Sequence, residues 1–336
     1  MADWVIVVDD DLTNLKMAGA ILSKNGLRVS AVKSGQAMLD YIAANGAPDL
    51  ILLDINMPEM DGIETLKRLR EQEAGKRATP VIFLTADENG ASETKGLTLG
   101  AMDFVKKPFI PEVLALRVRH IIDLDHLQQD LSREVDRKTQ ENARMFIHIV
   151  EALADAVDAK DTYTNGHSGR VATYSREIAH RYGYSTQKEK SIYIMGLLHD
   201  IGKIGIPDAI INKPAKLTDE EYAVIKTHTV KGAKILDNIK EMPMLVTGAR
   251  WHHERFDGKG YPDGLKGDAI PEADRIIAVA DAYDAMSSRR SYRGIMPQSA
   301  VRAEIEKGKG TQFDPVFADI MLAMIDEDKD YAMSEH

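Results

Sequence analysis

Apolar positions in the first third of the chain gather into short continuous runs separated by segments of helical spacing. Val5–Val8, Leu50–Leu53 and Val81–Leu84 are unbroken apolar runs, and Arg28–Val32 and Asp103–Val105 are strand-like. Between the early runs, Leu12–Leu22 and Gly35–Ala44 repeat apolar residues at three- and four-residue intervals. A strand that is apolar on both faces must be covered on both, and alternation with helices makes the sheet parallel. After Pro111 neither proline nor glycine occurs until Gly166. The intervening residues are strong helix formers, with apolar positions at Val118, Ile121, Leu124, Leu131, Val135, Met145 and Ile149, interrupted by charge from Asp136 to Arg144. This pattern predicts one long helix over 111–158, paired as a dimeric coiled coil or signalling helix. The remainder reads as helical: Ser168–Arg181, Gln187–Leu198, Asp219–Leu236, Pro243–Trp251, Ala273–Met286, Pro297–Lys307 and Asp314–Asp326. Glu254–Pro271, with four glycines and two prolines, is the exception and reads as a shaped loop.

At 336 residues the chain has room for two cores. Its 53 acidic against 43 basic side chains give a net charge of -10, which argues against a general nucleic-acid or anionic-membrane binder. There is no basic recognition helix, so DNA is not an expected partner. Cysteine is absent, which removes disulfides and thiolate metal ligands. The N-terminus lacks a signal-peptide layout and no apolar run reaches about 18 residues. The expected location is the cytoplasm, without membrane insertion.

Two clusters carry chemistry. In a parallel sheet functional groups collect at the carboxyl ends of the strands, and Asp9, Asp10 and Asp54 all fall there. Carboxylates placed together repel unless a cation joins them, so they suggest Mg2+. Thr85 and Lys107, at two further strand ends, add a hydroxyl and an ammonium, making a pocket able to receive a phosphoryl group on a carboxylate. The second cluster centres on His199-Asp200 in IMGLLHDIGKIGIP, with His167, His228, His252, His253 and Asp281 around it. Of ten histidines, five fall in this set, too many for chance burial alone. Imidazole and carboxylate donors suit hard or borderline divalent ions, and a carboxylate between two ions bridges them. Two such ions clamp the attacking and leaving oxygens of a phosphoryl displacement.

The segments VVDDD, LLDINMPEMDG, FLTA and FVKKPF, in that order, resemble the response-regulator receiver domain over roughly the first 120 residues. The resemblance implies a flavodoxin-like five-stranded parallel sheet over 1–122, with Asp54 as phospho-acceptor. It further implies that Asp9, Asp10 and the Asn56 main chain hold Mg2+, that Thr85 and Lys107 contact the phosphoryl group, and that Phe104 is the aromatic switch. HDIGKIGIPD followed by HHE, DG and GYP resembles the HD-GYP subgroup of HD-superfamily metal-dependent phosphohydrolases, an all-α bundle expected over 145–336. That resemblance implies metal ligands His167, His199, Asp200, His228, His252, His253 and Asp281, with Asp200 bridging. Lys203 would contact the substrate phosphate and assist proton transfer, Arg290 would neutralise phosphate oxygens, and Gly260, Tyr261 and Pro262 would form the loop beside the substrate. Members with a third metal carry a glutamate four residues before the first histidine. Here that position is Tyr163, which implies two metals and a weaker second cleavage.

Together these readings describe a response regulator in which phosphorylation at Asp54 controls hydrolysis of cyclic di-GMP to pGpG or GMP. The expected partners are a sensor histidine kinase, a second copy of the chain and diguanylate cyclases. Iron or manganese is the expected metal, with nickel, cobalt or zinc compatible with the same donors. The competing readings are hydrolysis of pGpG or a mixed cyclic dinucleotide, and a weakly active metal-binding module that acts by docking a protein.

Overall fold

The computed structural model describes residues 2–75, 77–86, 96–161, 166–288, 295–330 and 333. The chain divides into two compact units at Thr139–Gln140. In the first, the described residues form one sheet of strands β1 (Trp4–Val8), β2 (Arg28–Val32), β3 (Leu50–Asp54), β4 (Val81–Thr85) and β5 (Asp103–Lys106). All pairs are parallel and the order is β2-β1-β3-β4-β5. The unbroken apolar runs are explained by what covers each face. Val5, Val7, Leu50, Leu52, Ile82 and Leu84 pack with Leu15, Ala18 and Leu22 of helix α1 (Leu12–Lys24) and with Leu114, Val118 and Ile122. The alternate residues Ile6, Val8, Ile51, Leu53, Val81 and Phe83 pack with helices α2 (Gly35–Asn45) and α3 (Gly62–Gln72). Pleating sends successive side chains to opposite faces, so β1, β3 and β4, buried on both, are apolar along their length and carry their acids and hydroxyl at or just past their carboxyl ends.

Helix α4 runs from Pro111 to Asp158. Its first turns complete the core of the first unit, while Val150, Ala154 and Val157 belong to the core of the second. Leu127, Leu131, Val135, Met145 and Ile149, between those regions, are exposed.

The second unit is a helical bundle of α5 (His167–Tyr182), α6 (Thr186–Leu198), α7 (Asp219–Lys226), α8 (His228–Leu236), α9 (Met244–Trp251), α10 (Glu272–Ser287), α11 (Gln298–Gly308) and α12 (Pro315–Glu327), with a 3-10 turn at Ile201–Gly205. Where the sequence predicts one helix over Asp219–Leu236, the chain breaks at Thr227. Its hydroxyl donates to the Val224 carbonyl, and its own carbonyl accepts the Lys231 amide of the next helix. The break makes His228 the first residue of α8. No described helix is long and apolar enough to cross a membrane.

Candidate metal-dependent active site

Helix ends deliver the predicted donors of the second unit. His167 opens α5, His199 and Asp200 follow α6, His228 opens α8, His252 and His253 follow α9, and Asp281 lies within α10. Donor atoms of Asp200, His228, His252 and His253 lie within 4.8 Å of one another, as do those of His167, His199 and Asp281. Asp200 stands between the groups. Its Oδ1 is 3.2 Å from His228 Nε2 and 3.8 Å from His252 Nε2, while its Oδ2 is 3.4 Å from His199 Nε2 and 3.8 Å from His167 Nε2.

The remaining ring nitrogens settle which atoms face inward. His199 Nδ1 donates to the Gly196 carbonyl at 2.7 Å, His228 Nδ1 to Ile225 at 2.7 Å and His252 Nδ1 to Gly248 at 2.9 Å. A carbonyl only accepts, so each Nδ1 carries a proton and each Nε2 is turned toward Asp200. Burial works to lower the pKa of His199 and His167, but the neighbouring carboxylates prevail, raising His199 and taking His167 to about 9. Burial, the largest influence, lowers the pKa of His228 and His252 and takes His253 to about 4, Asp281 offsetting it in part. His228 Nε2 and His252 Nε2 are thus lone pairs 3.2 Å apart, and both face a carboxylate oxygen. His199 Nε2 and Asp200 Oδ1 are buried with no hydrogen-bond partner. Acceptors converging on acceptors repel one another without a cation, and this donor set fits divalent metal.

Three supporting contacts fall outside the residues the sequence picks out. Asp284 Oδ2 accepts from His167 Nδ1 at 2.7 Å and is itself held by Arg170, whose Nε lies 2.6 Å from Oδ1. A carboxylate behind a histidine fixes the ring and raises its basicity. Asp158 accepts from the main-chain amide and hydroxyl of Ser168, tying the start of α5 to the end of α4. Glu254, buried to 3% exposure, accepts from the amides of Asp263, Gly264 and Leu265 and so shapes the glycine-rich loop. Asp281 and Asp284 lie three residues apart on one helix face, a spacing that signals their shared direction.

Two glycines are dictated by close approach. A side chain at Gly202 would meet the His228 carbonyl oxygen at 1.8 Å, and one at Gly260 would meet the Arg255 amide at 2.4 Å. The first lets the turn carrying Lys203 lie against α8. The second folds the loop back so that the Tyr261 ring sits 4.9 Å from His253, with Pro262 following on a cis peptide. Lys203 Nζ is 2.9 Å from Asp200 Oδ2 and 3.1 Å from Asp161 Oδ2. Burial works to lower its pKa, but the two carboxylates prevail and raise it. A cavity of about 560 Å3 opens beside His253, Asp281 and Tyr261. Tyr163 and Arg290 lie outside the described residues.

In the first unit, oxygens of Asp9, Asp10 and Asp54 also lie within 4.8 Å of one another. Lys107 Nζ is 2.7 Å from both Asp9 Oδ2 and Asp54 Oδ2, and the Asn56 amide faces Asp54 Oδ1 at 3.4 Å. Thr85 ends the neighbouring strand, and Phe104 lies on β5.

Comparison with known proteins agrees with this division. A model of the response-regulator receiver domain matches residues 5–119, and one of the HD domain, a metal-dependent hydrolase, matches residues 151–317. A probable cyclic di-GMP phosphodiesterase of Vibrio cholerae is 35% identical, over 95% of this chain and 77% of the relative. A cyclic di-GMP phosphodiesterase of Thermotoga maritima is 34% identical, over 95% and 89%. The cyclic di-GMP phosphodiesterase response regulator RpfG of Xanthomonas campestris is 32% identical, over 95% and 86%. With a parallel sheet ending in an aspartate pocket and a helical bundle converging histidines on a central carboxylate, the chain belongs to the family of response regulators that join a receiver domain to an HD-GYP phosphohydrolase domain.

Proposed function

We propose that this protein hydrolyses cyclic di-GMP, opening the ring to pGpG and passing more slowly to GMP, under the control of phosphorylation at Asp54. The observation that carries this reading is the placement of Asp200, with one carboxylate oxygen facing each of two donor groups. The relatives spanning nearly the whole chain are named for cyclic di-GMP, which favours it over pGpG or a mixed cyclic dinucleotide. All seven predicted donors are present and converge, which favours turnover over a docking role.

Two divalent ions, iron or manganese, would be held by His167, His199 and Asp281 on one side and by His228, His252 and His253 on the other, with Asp200 shared. When bound, such ions supply Lewis acidity to the phosphoryl oxygens and a nucleophile at neutral pH. The chain's own residues supply position and charge. Lys203, kept cationic between Asp161 and Asp200, meets the negative charge that gathers on phosphorus-bound oxygens. Arg290 would neutralise the other phosphate oxygens. Tyr261, stacked beside His253, and the loop from Gly260 to Pro262 wall the substrate against the cluster.

In the receiver, Mg2+ would lie among Asp9, Asp10 and the Asn56 main chain, with Thr85 and Lys107 on the phosphoryl group and Phe104 as the switch. A receiver implies a phosphodonor, and a sensor histidine kinase is the partner of that chemistry. The exposed apolar positions of α4 support a homodimer through that helix, and diguanylate cyclases are candidate docking partners.

The test is product analysis of cyclic di-GMP incubated with protein loaded with iron or manganese, beside Asp200→Ala. Linear pGpG or GMP from the wild type alone is the expected result. No product despite full metal occupancy would overturn the reading.

A further inference from the structure

The cavity beside the histidine cluster contains one acid that neither the fold nor the donor set uses. Among the described residues its lining includes three carboxylates: Glu254, Asp281 and Glu304. Glu254 is committed to three main-chain amides, and Asp281 lies 3.3 Å from His167 Nε2. Glu304, on α11, has Lys307 at 3.8 Å, and both side chains are more than half exposed. An exposed pair at that distance contributes little and exchanges readily. The same cavity is lined from α10 by Ala278, Ala282 and Ala285, at intervals of four and three residues, and by Met286. Side chains this small along one helix face leave an apolar slot that suits a flat ring. Lys226 and Lys259 line the same cavity and suit the phosphates of the same ligand.

We infer that Glu304 is a specificity-determining residue that selects guanine, its carboxylate accepting from the N1–H and N2–H of a base seated along the alanine face. The inference rests on cyclic di-GMP being the substrate. Guanine presents two neighbouring donors, which match the two oxygens of a carboxylate. Adenine presents a lone pair at N1 beside its amino group, so the same carboxylate gains one bond and opposes one acceptor. A glutamine at this place offers one acceptor and one donor and fits adenine instead.

The experiment measures dissociation constants of cyclic di-GMP and cyclic di-AMP for the metal-depleted full-length protein and its Glu304→Gln variant, with product analysis of the manganese-loaded wild type alongside. The preference for cyclic di-GMP over cyclic di-AMP is expected to fall about tenfold in the variant. An unchanged ratio, including equal weakening of both ligands, overturns the role of Glu304. If the wild type forms linear product while the ratio stays fixed, that role alone fails. If the wild type neither prefers nor cleaves cyclic di-GMP, the substrate reading fails and the role of Glu304 with it.

Discussion

Asp54 and Asp200 are both buried carboxylates met by a lysine, Lys107 at 2.7 Å and Lys203 at 2.9 Å, but their environments pull them in opposite directions. At Asp54 burial is the largest influence; with Asp9 it raises the pKa despite Lys107, which is divided between the two acids. At Asp200 burial acts the same way, but Lys203 and, after it, His199 outweigh it and hold the carboxylate well below its usual range. Lys203 is likewise shared, between Asp200 and Asp161, so the difference lies in the other neighbour: Asp54 has the acid Asp9 beside it, and the net negative charge suits a site that recruits Mg2+ and then accepts a phosphoryl group. A carboxylate ringed by histidines stays ionised and serves as a ligand. The same pair of residue types thus makes a reactive group at the carboxyl end of the central strand and a structural anchor within a bundle.

The sharpest way to break that contrast is Asp200→Ala. Removing the shared ligand is expected to take metal content, measured by mass spectrometry, from about two ions per chain to below one. Turnover should fall about a thousandfold or more, the loss of several kcal/mol of charge stabilisation. Retention of both ions would mean that Asp200 is not the anchor. Asp284→Asn should act more mildly, because it loosens His167 without removing a donor. Metal affinity, from competition with a chelator, is expected to drop about 10- to 100-fold, with activity recovered by excess metal. Unchanged affinity would reduce Asp284 to a packing role. On the receiver side, a phosphodonor such as acetyl phosphate should label Asp54 and shift turnover by about fivefold or more, a typical coupling between two sites. Asp54→Asn should abolish both responses; labelling that persists would place the acceptor elsewhere.

What the sequence could reveal follows from how each group is supported. The acids of the receiver were legible because continuous apolar runs mark strands and catalytic groups gather at strand ends. The histidines were legible because they are few and gather around the HDIGK and HHE segments; His199, His252 and His253 follow apolar helices, whereas His167 and His228 open theirs. Asp284 and Arg170 were missed, since a buried polar residue whose partner is distant in sequence looks like any surface position; Glu254 stands in the HHE segment, but its task of holding the amides of Asp263, Gly264 and Leu265 was not read from it. Asp284 meets Arg170 across 114 residues. The break at Thr227 was missed for a different reason: neither glycine nor proline marks it, and its geometry comes from the threonine hydroxyl and the packing of His228. Asp158 and Asp161, two acids close before the first histidine, take separate tasks, one holding the start of α5 and the other pairing Lys203.

A third buried carboxyl extends the comparison to the case of no cation at all. Asp274, in the first turn of α10, is fully buried and neither of its oxygens has a hydrogen-bond partner. Burial pushes its pKa up to about 8, and the Thr247 hydroxyl nearby is turned to the Met244 carbonyl. The folded protein therefore holds a proton that the unfolded chain, with an ordinary carboxyl near 3.8, has released. Stability must fall as pH rises between those two values and level off above the upper one. Between pH 6 and 8 the loss is expected to be about 2 kcal/mol, read from urea unfolding of the second unit's helices. Asp274→Asn keeps a neutral side chain of the same size at every pH, so its stability should decline less over that range. If the variant and the wild type lose stability in parallel, Asp274 is ionised in the fold, and burial without a lysine is not enough to keep a carboxyl neutral here.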